Sequence, residues 1–152
     1  MTYSAAEARQ QLLDEVAAAI DSLAVAISAV GAAYEQLDEQ AADKLEEEVF
    51  RPVQAAYGRA KRTHAGFAGR HRLPARAFAP APEERPSHGV AGLLDHAVDA
   101  VGEAEHLLSE LQDSMMPVEV GDPELRAGLA ETREALADVA RRTHEFMRRY
   151  GR

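Results

Sequence analysis

The chain contains no cysteine, which excludes disulfides, zinc-thiolate sites, iron–sulfur clusters and a cysteine nucleophile. This fits a reducing cytoplasm. Lysine is scarce: of 17 basic residues, only Lys44 and Lys61 are not arginine. That bias, together with abundant alanine, is typical of a GC-rich bacterial genome and says nothing of role. Opening on Met1-Thr2-Tyr3-Ser4, the chain has neither the basic region nor the apolar stretch of a signal peptide. The nearly apolar run from Leu23 to Tyr34 is too short to span a membrane. We therefore expect a cytoplasmic protein. No glycine-rich phosphate loop, nucleophile elbow or metalloprotease motif occurs, so no residue is assigned a catalytic role and no cofactor is expected.

What is present is helical periodicity. The 152 residues and 46% apolar content suit one domain with a substantial core. Leu13, Val16, Ile20, Leu23, Ile27, Val30, Tyr34 and Leu37 recur at alternating spacings of 3 and 4, the seam of a helix packed along its whole length. Ser4 and Glu7 form a capping box at its start. Beyond Leu37 the phase slips by one residue, which predicts a turn with Asp38 as the next N-cap. A second helix then buries Ala42, Leu45, Val49, Val53, Ala56, Ala60, Thr63 and Phe67. Pro52 lies inside it and predicts a kink or break near Arg51, either a bend that follows the core or a π-bulge or hinge at a pocket.

A proline-rich connection follows, carrying Pro74, Pro80, Pro82 and Pro86. It is too long for a simple turn, and loops of this kind are usually functional or mobile. A third helix opens at Ser87, with a seam of Val90, Leu94, Ala97, Val101, Ala104, Leu108, Leu111 and Met115. Asp122-Pro123-Glu124 starts a fourth, whose seam is Leu125, Leu129, Thr132, Leu136, Val139, Thr143, Phe146 and Tyr150. The expected helices span about 4–37, 39–69, 87–115 and 122–150, making an all-α four-helix bundle with a long proline-rich loop between helices two and three.

Charge alternates along the chain. Residues 1–50 carry a net −9, 51–85 a net +6, 86–125 a net −9 and 126–152 a net +3. An antiparallel up-down-up-down order sets acid against base at every neighbouring pair and so disfavours other helix orders. That order also gathers the C-terminal ends of helices two and four. Arg62, Arg72, Arg142 and Arg149, with His64 and His144, then form a candidate anion-binding end. His71, His88 and Arg152 lie near it. Tyr57, His64, Thr143 and His144 could line a small polar pocket there.

Metal chemistry finds little support. Glu103 and His106 form a single Glu-x-x-His pair, whereas a di-metal carboxylate site needs two such pairs and two further inward glutamates. His96, Asp99, Glu103, His106 and Glu110 form a stripe that reads as a solvated face, so no metal site is expected. An acidic protein without a basic stripe interleaved with aromatics makes nucleic acid an unlikely partner. Val25, Val98 and Leu107 beside the seams, with Phe78 in the loop, suggest a homodimer. These features point to a non-enzymatic, self-associating interaction or scaffold protein. The alternative is a small-molecule or anion binder, or a weakly marked enzyme, with its site at the cationic end.

Overall fold

The structure, a computed structural model, describes residues 4–79 and 89–150. Those residues are all-helical, with no strand among them. Helix α1 (Ala5–Glu35) begins where the Ser4 hydroxyl accepts from the Glu7 N–H at 3.1 Å. The chain turns at Gln36 and Leu37, and Asp38 caps α2 (Glu39–Leu45) by accepting from the Ala41 N–H at 2.9 Å. A π-helical segment (Glu46–Phe50) leads directly into α3 (Arg51–Arg70). After the connection come α4 (Val90–Asp113) and a single turn, α5 (Met116–Glu119). The expected fourth helix is divided into α6 (Pro123–Leu136) and α7 (Val139–Tyr150). The expected start at Ser87 lies outside the described residues, as do Pro80, Pro82, Pro86, His88 and Arg152.

Most expected seam positions are core. Val16, Ile20, Leu23, Leu45, Val53, Leu94 and Leu125 are wholly buried. Two details differ. First, α1 buries a further column, Leu12, Ala19, Ala26 and Ala33, at seven-residue intervals, because it packs against both α3 and α4. Second, Met115 is exposed, since α4 ends at Asp113 before reaching it. By length and composition α1 is also apolar enough to cross a membrane, with a mean hydropathy of 1.9 over its most apolar window, although 56% of that window is buried in the fold.

The helix order also differs from expectation. Helix α3 runs antiparallel to α6: Arg70 meets Asp122, Arg59 meets Glu131, and Thr63 abuts Gly128. Helix α1 runs antiparallel to α4, with Glu15 near Glu110 and the Arg9 Nε donating to the Val120 carbonyl at 3.1 Å. In an up-down-up-down order both of those pairs would be parallel. The two acidic helices, α1 and α4, are direct neighbours. Burial raises the Glu15 pKa, and the facing Glu110 carboxylate raises it further. Exposed ion pairs contribute about 0–1 kcal/mol each, whereas one buried Leu or Ile contributes about 1.5–3 kcal/mol, so apolar fit overrides charge alternation.

Helix α3 closes with a Schellman motif in which the Leu73 N–H reaches the Ala68 carbonyl at 2.9 Å and the Arg72 N–H reaches Gly69 at 3.5 Å. Arg72 takes the left-handed conformation (φ 56°) that the motif demands and that glycine usually supplies. At the same end, Asp122 accepts from Arg70 at 2.8 and 2.9 Å and from the Leu125 N–H at 2.8 Å, and His71 Nε2 lies 3.0 Å away. Burial pushes the Asp122 carboxyl up, but the hydrogen bonds from Arg70, Leu125 and His71 outweigh this and hold it at about 2. A carboxylate depressed from 3.8 to about 2 stabilises the fold above its unfolded pKa, and that stability fades as pH falls towards 2. We expect Asp122→Ala to cost about 2 kcal/mol at neutral pH and to flatten the acid limb of the stability curve between about pH 4 and 2, measured by urea denaturation.

Candidate functional site

The site arises from Pro52. With no N–H to donate, and a ring that would strike the carbonyl four residues back, proline cannot continue an ordinary α-turn. The chain widens just before it, and the Arg51 N–H bonds the Glu46 carbonyl, five residues back. The inserted residue turns half-buried Glu48 towards α7. Glu48, Glu145, Phe146, Arg148, Arg149 and Tyr150 line an open cleft of about 450 Å³. Phe146 is buried beside it, with its ring 5.0 Å from that of Tyr150. Glu145 is partly neutralised by an ion pair with Arg141 at 3.1 Å. Arg148 and Arg149 pair with no carboxylate among the described residues. Two guanidinium groups beside a tyrosine ring can hold a carboxylate or another planar anion by paired hydrogen bonds.

The expected anion-binding set is split between two levels of the molecule. His64 and Arg62 lie in the C-terminal half of α3, and Arg72 follows it. Arg142, His144 and Arg149 lie on α7, which packs beside α2 and the π segment. From the antiparallel α3/α6 register, Arg62 and Arg142 are separated along the molecule by roughly 18 Å, at 1.5 Å per residue. Arg142 lies 4.0 Å from Asp138, His144 is exposed, and only Arg149 reaches the cleft. The polar pocket of Tyr57, His64, Thr143 and His144 does not form either. The Thr143 hydroxyl donates to the Val139 carbonyl at 2.6 Å, and Tyr57 and His64 face α1 and the connection.

Glu48, Glu145 and Phe146 were not singled out from sequence as site residues. For Glu48 the signal was the spacing Leu45, Val49, Val53, in which two successive fours, the second spanning Pro52, replace the usual alternation of three and four. Among the described residues, no group of three or more His, Asp or Glu is placed to hold a metal ion. The His106 and Glu110 side chains of the acidic stripe lie 3.1 Å apart on the exposed face of α4. No family model, curated protein or solved structure matches the chain.

Proposed function

We propose that this is a non-enzymatic, cytoplasmic helical scaffold that binds an acidic segment of a partner protein in the cleft between the π segment and α7. The observation that carries this reading is the pair Arg148 and Arg149, which line the cleft beside Tyr150. The π segment supports it, because such widened turns cost regular hydrogen bonding and recur at functional sites. A small anionic ligand is the alternative for the same two arginines, but the cleft is open, and an extended segment fits it better than a molecule that needs enclosure. We further propose that α1, α2 to α3, α4, and α6 to α7 form the four columns of one bundle. Every neighbouring pair is antiparallel, and a single long crossover joins α3 to α4. The scaffold self-associates through the corner at α5, where Met115 and Val118 are 59% and 65% exposed; light scattering at about 100 μM should give a dimer mass.

The binding test is anisotropy of a labelled poly-glutamate peptide at low salt. Arg148→Glu/Arg149→Glu should weaken binding at least about tenfold, and added salt should weaken the wild type, as expected for screened charges. Arg62→Glu, at the other level of the molecule, should leave binding unchanged. Equal loss in both variants would reduce the effect to net charge, and inorganic phosphate competing as well as the peptide would favour the small-anion reading.

A further inference from the structure

The connection after α3 does not leave the body of the protein at once. Leu73 packs against the core, Arg76 grips Asp21 of α1 through two bonds of 2.9 and 3.0 Å, and its guanidinium lies 4.7 Å from the Phe78 ring. Phe78 in turn sets its ring at 87° to that of His64, with centroids 5.1 Å apart. His64 is only 3% exposed, and its Nδ1 has no hydrogen-bond partner among the described residues. Residues 73–79 are thus a strap across the α1–α3 groove, tied at one point by an exposed ion pair and seated at the next on a buried imidazole. We propose that this strap is a pH-sensitive latch, closed over neutral His64 and released when His64 takes up a proton.

A protonated imidazole presents two N–H donors. In the closed strap the Nδ1–H would be buried without an acceptor, which costs the desolvation of a charged donor. The surrounding charges add to this. Arg76, from the strap, opposes the new charge, while Asp14, from α1, favours it weakly. Asp21 is already engaged by Arg76, and Tyr57 and Lys61 occupy the same face of α3 one to two turns back, with the Lys61 ammonium over the Tyr57 ring at 4.2 Å. Burial is the largest influence on His64 and lowers its pKa below 6.5, and Arg76 lowers it further. With the strap open, His64 meets water and titrates near its ordinary value. Closure is therefore at full strength above about pH 6.5 and weakens as pH falls through it.

The absence of cysteine makes the test direct. Nitroxides attached through Ala79→Cys and Gln54→Cys, both exposed positions, report strap position as a distance distribution. The Asp21→Asn background releases one side of the clamp and brings both populations into range. We expect the open-to-closed ratio to rise by more than about twofold and at most about tenfold between pH 7.5 and 5.5, the upper limit being set by an open-state pKa near 6.5. His64→Leu should remove the rise. A ratio constant within about twofold, or the same rise in His64→Leu, overturns the latch. Should His64→Leu not fold, the wild-type imidazole decides by NMR: titration at or above 6.5 with its contact to Phe78 intact also overturns it.

Discussion

Ile20→Ala and Leu108→Ala should each destabilise the protein by about 2–5 kcal/mol, the range for deleting several buried methyl groups, while His106→Ala should leave stability within about 0.5 kcal/mol. Ile20 and Leu108 lie on the closely packed pair α1 and α4, at 0% and 1% exposure, whereas His106 shares α4 but faces solvent. Alanine is abundant in the core of these two helices: Ala19, Ala26 and Ala33 of α1 and Ala104 of α4 are all wholly buried. Small side chains bring the helix backbones close and leave each large residue surrounded, so a cavity cannot be closed by repacking. For a domain of this size the loss corresponds to roughly 5–20 °C in Tm. Urea midpoints separate the outcomes. Similar midpoints for all three variants would mean that the buried and solvent faces of α1 or α4 are assigned wrongly.

The same residues explain what was legible in the sequence. Helix identity came from the alternating spacings, because a residue that must face a neighbour along a long helix can recur only every three or four positions. The ends of α1, α2 and α6 came from Ser4, Asp38 and Asp122, whose side chains each accept from a backbone N–H three residues on. Helix order was not legible. Charge alternation pointed to a ring in which α1 and α4 lie diagonally opposite, yet the two meet along their apolar faces and tolerate the approach of Glu15 to Glu110. A strip of alanines looks alike in sequence whether it meets α3 or α4, and nothing local records the difference.

The candidate site was lost through that same error. Gathering Arg62, Arg72, Arg142 and Arg149 at one end required α3 and α7 to end together. Once α3 ends beside the start of α6, its terminal arginine is consumed by Asp122, and Arg149 faces Glu48 across the cleft. Pro52 marks a disturbance in the helix, but a kink, a break and a π-bulge all relieve the same steric clash. Only the paired fours at Leu45, Val49 and Val53 favour an added residue, and that signal weighs little until the partner face is known.

Gly128→Ala should cost about 1–3 kcal/mol despite the roughly 1 kcal/mol that alanine gains over glycine in a helix, and Gly128→Val should cost more than about 3 kcal/mol. At residue 128 α6 packs closely against Thr63 of α3. A Cβ there would lie 2.0 Å from Thr63 Oγ1, 2.7 Å from its Cγ2 and 2.9 Å from its Cβ. Rotating the threonine brings little relief, because its own Cβ is already too near. Its hydroxyl is also held, donating to the Arg59 carbonyl at 2.8 Å and accepting from the Arg59 guanidinium at 2.9 Å. On the other helix, the Thr132 hydroxyl donates to the Gly128 carbonyl at 2.7 Å and fixes that backbone as well. The helices must therefore move apart, taking the Arg59–Glu131 ion pair with them. A double-mutant cycle with Thr63→Ala isolates the clash, since that change removes two of the three offending atoms. We expect the pair Thr63→Ala/Gly128→Ala to recover more than about 1 kcal/mol relative to additivity. If Gly128→Ala instead stabilises the protein, as helix propensity alone requires, α3 and α6 do not meet at this point and the antiparallel register drawn from Arg70, Arg59 and Thr63 is wrong.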